Sequence, residues 1–472
     1  MTINNTNVQD LIAKVKKQLE QEEGMTPALK SSIEMLLVIV SILVERLGTN
    51  SKNSSKPPSK DENRKKESKA KGKNKPGGQP GRVGKNLKPV EDPDIIKEIP
   101  VDKKTLPEAN YQYCGYEARQ VFDIVISRVV TEYRAQVLVD QRGCRFVAPF
   151  PEEVMRPTQY GASTKAHSVY MSLFQLIPYN RIEDYFEDQL GIPISAGSIF
   201  NFNQAAYDNL EYFEEWIRTR LINSTLIHAD ETGINIEGKK AWLHCASSPL
   251  YTFFYPHKKR GGEALEEMQI LPLFQGTLCH DHWKPYYQYG QYHALCNAHH
   301  LRELERACEN DNYKWSQKMI ELLKEIHKAT QNAGGCLNPP EAATYRQRFR
   351  DLILDAEKEC PPPDETNRKG KRGKIPRSKS RNLLERLRDY EDDVLRFMTN
   401  KEVPFSNNLA ENDIRMTKVQ QKISGCFRAW DGAKIFCRVR SYLSTARKHG
   451  VSMAEALDLL FNGRLPDFVQ KN

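Results

Sequence analysis

The sequence runs to 472 residues, too many for one ordinary core at roughly 150 residues per domain, so a modular chain is expected. Hydrophobic residues make up 39%, enough for buried cores, while 28% charged residues and a net charge of +9 describe a soluble protein with an acidic partner, most commonly nucleic acid. The ten cysteines are scattered and no secretory signal is evident, which sets aside a disulfide framework and leads to the expectation of a cytoplasmic protein.

The first expected module is residues 1–48. Residues 7–47 read as helix, and Ile33, Leu36, Val40, Leu43 and Leu47 step by three and four, the seam of a coiled coil. Self-association is slightly favoured, with a helical hairpin through Gly24 to Pro27 as the competing reading. The apolar run Met35 to Val44 falls short of the ~20 residues that span a bilayer, so no membrane partner is expected. Residues 49–92 form a basic arm. Between 51 and 88 thirteen Lys and Arg stand against Asp61, Glu62 and Glu67, a surplus of ten that carries the whole net charge. This stretch is rich in Pro, Gly and Ser and has no aromatic residue, so it is expected to be disordered. Lys65, Lys66, Lys73 and Lys75 are its candidates for contact with DNA phosphates; the bland alternative is a solvated linker.

Residues 93–155 contain β-branched runs, Val121 to Val130 and Ala135 to Val139, which predict a small β-rich ribbon with Cys114 and Cys144 at its turns. The positions where paired cysteines would complete a zinc ribbon hold Tyr111 and Gln141, so zinc is not expected there. Residues 156–222 turn helical. Asn180 to Leu190, a turn over Gly191 to Ser195, and Ala196 to Leu210 resemble a helix-turn-helix, with DNA contact and plain packing equally open because the second helix has few basic residues. Residues 223–312 together with 401–440 predict a mixed α/β sheet. Thr225 to Ala229, Ala241 to Ala246 and Tyr251 to Tyr255 read as antiparallel strands. A helix from Gly262 to Leu271, a fourth strand ending Gly276 to His280, a fifth over Tyr292 to Cys296 and a helix from His300 to Asn310 follow. Residues 313–400 read as a helical insertion, broken by a Pro- and Lys-rich loop from Pro361 to Arg377, and residues 441–472 as a closing helical segment. The fold class expected is multidomain α+β.

Chemistry enters with the acids. Asp230 is expected to close the first strand and Asp281 the fourth. If those strands are neighbours, two carboxylates approach closely, and their repulsion calls for a cation. Mg²⁺ or Mn²⁺ fits, as hard ions that take oxygen ligands. Glu411 is expected near the start of a later helix, where Arg415, Lys418 and Lys422 share its face at helical spacing. An acid beside a basic stripe suits a metal and phosphate site. Read alone, the same pattern is an exposed helix laced by ion pairs.

Longer motifs go further. Asn53-Ser-Ser-Lys-Pro-Pro-Ser, Lys75-Pro-Gly-Gly-Gln-Pro-Gly, Leu176-Ile-Pro-Tyr-Asn-Arg, Gly191-Ile-Pro-Ile-Ser, His228-Ala-Asp-Glu-Thr-Gly, Cys279-His-Asp-His-Trp-Lys-Pro-Tyr, Ala294-Leu-Cys-Asn-Ala-His-His-Leu-Arg-Glu-Leu, Asn407-Asn-Leu-Ala-Glu and Lys422-Ile-Ser-Gly-Cys-Phe-Arg occur in this order. With them the chain resembles the insertion sequence sixty-six transposase family, the large transposase C subunit, over nearly its whole length.

That resemblance implies a ribonuclease-H-like core whose Asp-Asp-Glu triad maps onto Asp230, Asp281 and Glu411, spaced by 51 and 130 residues. It implies an enzyme that nicks the end of a mobile element and joins the freed 3′-hydroxyl to target DNA, with two Mg²⁺ (or Mn²⁺) ions on the triad. Its partners would be terminal inverted repeats, target DNA, a second copy of itself and small accessory proteins, in a bacterial cytoplasm and on the nucleoid when bound to DNA. Arg415, Lys418, Lys422 and Arg428 are the candidates for holding phosphates. Cys296 and His299 match a motif of related transposases; two such ligands are too few for zinc, so they are read, with Asn407 and Asn408, as support for the site. The chain departs from the family at Tyr111 and Gln141, and at Ser406, where an Asp is common; Ser is also a good helix cap. Two rival readings are an element-derived DNA-binding protein that no longer cuts, and a ribonuclease-H-like nuclease acting in repair or on RNA.

Overall fold

The computed structural model describes residues 2–3, 6–22, 24–50, 53–54, 61, 63, 86–363 and 377–470. Lys65, Lys66, Lys73 and Lys75 of the expected arm, and most of the expected loop from Pro361 to Arg377, lie outside the described residues.

Two very short strands, β1 (Thr2–Ile3) and β2 (Thr6–Asn7), precede helices α1 (Val8–Gln21) and α2 (Pro27–Gly48). Of the two readings of residues 7–47, the structure takes the helical hairpin, with the break between Gln21 and Pro27. Pro27 opens a new helix at a position where its missing N–H costs nothing, and the Thr26 side chain accepts the Leu29 N–H at 3.4 Å. The two helices pack together as a hairpin, while Leu36, Val40, Leu43 and Leu47 stay exposed. By length and composition alone, α2 is apolar enough to cross a membrane, a longer apolar stretch than the run from Met35 to Val44 suggested.

The β-rich ribbon expected over 93–155 is reduced to one hairpin, β3 (Val137–Val139) paired with β4 (Arg145–Val147). Val121 to Val130 is no strand: Val121, Val125 and Val129 are about 90% exposed. β-Branched residues favour a strand by packing on a half-buried pleated surface, and among the described residues no such surface lies against this run. Cys144 follows the hairpin turn, Cys114 stands apart from it, and both are exposed free thiols.

Helices α3 (Ala162–Val169), α4 (Tyr179–Leu190), α5 (Ala196–Asp208) and α6 (Glu211–Ile222) come next. Between α4 and α5 the chain turns at Gly191 (φ 59°), and Ser195 caps α5 by accepting the Ser198 N–H at 3.2 Å. Ile182, Phe186, Ile199 and Phe202 bury the inner faces of this pair.

The central sheet is built from β5 (Leu226–Ile236), β6 (Lys239–Ser247) and β7 (Thr252–His257), then helix α7 (Gly262–Glu267), β8 (Thr277–His280) and β9 (Tyr292–Leu295). Its order is β7-β6-β5-β8-β9, with β5, β6 and β7 antiparallel and β5, β8 and β9 parallel. Glu237 (φ 54°) and Gly238 (φ 75°) make the two-residue turn whose twist suits a tight hairpin, so β5 runs past Asp230 to Ile236. Asp230 therefore does not close its strand, contrary to the sequence expectation. It sits two residues beyond the last β5–β8 pair, His228 with Cys279, while its antiparallel pairing to Cys245 continues.

Helices α8 (Asn297–Asp311), α9 (Lys314–Asn332), α10 (Pro339–Glu359), α11 (Lys379–Asp389) and α12 (Glu391–Leu395) follow β9. The chain closes with α13 (Asn408–Ser424), α14 (Trp430–Lys448), α15 (Met453–Phe461) and α16 (Asp467–Gln470). Side-chain alternation along the sheet divides the core into two layers. Ile227, Ala229 and Leu278 join the residues of α3 to α6, α14 and α15, whereas Leu226 and Cys279 join those of α8 to α11. Fully buried side chains such as Phe213 and Phe253 in the first layer and Phe349 in the second each contribute about 1.5–3 kcal/mol.

Candidate active site

Three elements meet at the end of the parallel pair. β5 carries Asp230, β8 ends one residue before Asp281, and Glu411 lies in the first turn of α13. The carbonyl end of a parallel strand is where a chain leaving a sheet can present side chains into a crevice. After Asp281 the backbone turns sharply. His282 takes φ 73°, and the Asp281 Oδ1 accepts the Trp283 N–H at 3.0 Å. A left-handed conformation at a non-glycine residue costs about 1–2 kcal/mol, strain that fixes the aim of the acid before it.

The position of α13 is set by buried polar contacts. The Asp413 carboxylate accepts the Ser247 hydroxyl at 2.6 Å and the Thr252 hydroxyl at 3.0 Å, and pairs with Lys448 Nζ at 3.0 Å. These ties lock the helix to β6, β7 and α14 two residues past Glu411. At its start, Asn407 is buried and acts as a junction. Its side chain donates to the Ala229 carbonyl at 2.8 Å and meets His228 Nδ1 at 2.8 Å, and its N–H donates to Cys296 Sγ at 3.1 Å. Asn407, not Ser406, is the residue that caps α13, and its side chain makes no cap bond because it is engaged with β5. Burial drives the His228 pKa down to about 4, so this histidine is neutral.

The electrostatics gather the acids. Burial holds the Asp230 carboxyl well above its usual range, and the nearby charges of Glu231, Asp281 and Glu411 raise it further against the Glu231 N–H, which donates to it at 2.9 Å. Among the described residues no cation pairs with Asp230. Its neighbour Glu231, which sequence reasoning passed over, is almost wholly enclosed. It accepts Arg260 Nε at 2.7 Å and the Tyr286 hydroxyl at 2.6 Å. Burial and Asp281 raise its pKa, and Tyr286 and Arg260 oppose them. Arg260 lies between the rings of Trp242 (5.0 Å) and Trp283 (4.7 Å). The signal for Glu231 was its place in the His228-Ala-Asp-Glu-Thr-Gly motif; strand alternation, which turns it away from Asp230, hid it.

Glu411 faces a different set. Its Oε1 lies 3.7 Å from Cys296 Sγ and 3.6 Å from His299 Nδ1. Burial raises the Cys296 thiol to about 11, opposed by N–H groups of Asn407, His299 and Ala298, and burial lowers the His299 pKa. Cys296, His299 and Glu411 are one of two groups of three possible metal ligands among the described residues whose donor atoms all lie within 4.8 Å. Arg415, Lys418 and Lys422 lie on the exposed side of α13, with Lys418 donating to the Gly233 carbonyl at 2.5 Å. Arg428 is exposed just after Phe427, which pairs with the end of β5, and Asn408 is exposed at the first position of α13.

Residues 157–435, more than half of the chain and including all three acids, match the Transposase IS66 family. The chain belongs to the IS66 family of transposases. This transposase acts on DNA in transposition, and DDE-type transposases generally use divalent metals. Residues 2–88 match a family of unknown function (DUF6444), and no curated protein matches the chain.

Proposed function

We propose that this transposase cleaves and joins DNA ends with Asp230, Asp281 and Glu411 as its catalytic carboxylates, in a ribonuclease-H-like core. The observation that carries the reading is that Asp230 and Asp281 each lie two residues beyond the paired His228 and Cys279, while Asn407 ties the start of α13, with Glu411 in its first turn, to the Ala229 carbonyl beside Asp230. An all-oxygen set with uncompensated repulsion fits Mg²⁺ or Mn²⁺. When bound, two such ions would supply charge stabilisation on the phosphate and lower the pKa of the attacking hydroxyl.

The chain's own residues do the rest. Asp230, Asp281 and Glu411 would hold the metal. The turn at His282 and the Asn407 junction fix two of these acids against drift, which in-line transfer requires because the attacking and leaving oxygens must be aligned. Arg415, Lys418 and Lys422 line one side of α13, with Arg428 beyond it, and hold the DNA backbone. In the first step water displaces a 3′-oxygen at the element's end, and in the second that 3′-hydroxyl displaces an oxygen in target DNA. Each step breaks one P–O bond and forms one. Terminal inverted repeats and target DNA are the substrates, self-association and small accessory proteins complete the assembly, and the work is done in the cytoplasm on the nucleoid.

Purified protein with labelled terminal repeats and Mg²⁺ tests this. Asp230→Asn abolishes strand transfer while DNA binding stays measurable; normal joining by that variant refutes the assignment. Cleavage of an RNA/DNA hybrid in preference to the repeats would favour a nuclease acting on RNA.

A further inference from the structure

We propose that Cys296, His299 and Glu411 form a binding site for a thiophilic divalent ion of the zinc class, and that its occupancy withdraws Glu411 from the carboxylate set. The withdrawal rests on the catalytic role given to Glu411 above; the binding does not.

The donor set decides the class of ion. A thiol and an imidazole are poor ligands for Mg²⁺ and good ones for Zn²⁺. Two protein ligands would be too few, and the sequence offers only two here; folding adds the third by bringing α13 against the start of α8. Tetrahedral zinc with its usual bond lengths places sulfur and nitrogen about 3.4–3.6 Å from a shared carboxylate oxygen. The separations from Glu411 Oε1, 3.7 Å to Cys296 Sγ and 3.6 Å to His299 Nδ1, need almost no adjustment. His299 Nδ1 is buried without a hydrogen-bond partner, an orphan donor atom that an ion would satisfy.

An outer shell is in place as well. The Asn407 N–H points at Cys296 Sγ at 3.1 Å, as suits a metal-bound thiolate, and Asn407 is itself pinned to β5. Binding replaces the Cys296 S–H bond by a metal–sulfur bond and releases that proton to solvent. Three protein ligands leave a fourth position open. Glu411 is common to this soft set and to the hard set with Asp230 and Asp281, so filling the soft site competes with filling the other.

Metal-free full-length protein titrated with Co²⁺ reads the site directly, since a thiolate ligand gives a near-ultraviolet charge-transfer band that oxygen ligands do not. One such band per chain is expected, displaced by Zn²⁺, and absent in Cys296→Ser. Zn²⁺ affinity should fall in Cys296→Ser, His299→Gln and Glu411→Gln by more than the ~10–100-fold typical of losing an outer-shell partner. No thiolate band in the wild type, or a band and affinity unchanged in all three variants, would overturn the site. The competition is read as the ratio of Mg²⁺-dependent cleavage with and without Zn²⁺, which should be low in the wild type and rise towards one in Cys296→Ser. An equal ratio in both refutes the competition. A wild type that binds Co²⁺ through the thiolate but never cleaves DNA in Mg²⁺ instead refutes the catalytic reading and leaves the ion site standing.

Discussion

The carboxylate cluster has two edges, and they are built in opposite ways. On the sheet edge, Glu231 is closed in by the Arg260 guanidinium and the Tyr286 hydroxyl, with its side chain 2% exposed. On the helix edge, Glu411 keeps 29% of its side chain exposed and, among the described residues, makes longer contacts to Cys296 and His299. An acid whose lone pairs are taken by protein donors holds structure together, whereas one left with open lone pairs can accept an ion. Under the function proposed above, the first plays a structural part and the second a chemical one.

The sharpest way to break that comparison is Glu411→Gln. This change keeps the size of the side chain, so cleavage should fall by roughly 10⁴-fold, the scale seen when one member of a catalytic set is removed, with the melting temperature almost unmoved. Cleavage within tenfold of wild type would place the chemistry elsewhere. Asp413→Ala, two residues further along α13, should do the reverse. It leaves Lys448, 12% exposed, with its bonds to Ser247 Oγ and to the Ser248 and Tyr251 carbonyls but without its carboxylate partner, and breaking such a buried pair costs about 3–5 kcal/mol. Urea denaturation should show that loss, and a variant as stable as wild type would remove Asp413 as the anchor of the helix.

Much of this was legible in the sequence, and what was not has physical reasons. The strand-end position of Asp281 and the helix-start position of Glu411 follow from strand and helix boundaries, and the mixed α/β sheet from strands followed by alternating helix and strand, whereas the order β7-β6-β5-β8-β9 comes from the fold alone. Asp230 was placed at the end of its strand because the apolar run stops at Ala229. The strand continues because the tight turn at Glu237 and Gly238 pairs the polar stretch with β6. The run from Val121 to Val130 shows the converse, a strand-like composition with no strand to pair against among the described residues. Neither the Glu231 enclosure nor the meeting of Glu411 with Cys296 and His299 could be read locally, since each joins residues that only the fold brings together.

A pH profile sharpens the comparison on the side of Asn407. His228 is buried and neutral, with its pKa lowered from 6.5 to about 4. In that window the unfolded chain binds the proton and the folded chain does not. The stability is therefore complete above about pH 6.5 and is lost as the pH falls towards 4, by up to ~3 kcal/mol. Other buried histidines contribute too, so the informative quantity is the difference between the stability profiles of wild type and His228→Asn. A difference that does not change between pH 7.5 and 4.5 would mean that His228 is not held neutral.

The smallest expected effect tests the closed edge itself. In Tyr286→Phe the ring remains in its fully buried place, and only the hydroxyl that donates to Glu231 at 2.6 Å is lost. Glu231 then keeps Arg260 but has one acceptor unsatisfied, which costs about 1–2 kcal/mol. The loss should appear as a lower midpoint in urea with an unchanged slope, and cleavage should suffer much less than in Glu411→Gln, because Glu231 supports the floor on which Asp230 sits and holds no reacting atom. If Tyr286→Phe lost as much cleavage as Glu411→Gln while its stability stayed at the wild-type value, the two edges would not differ in kind, and Glu231 would belong among the acids that do the chemistry.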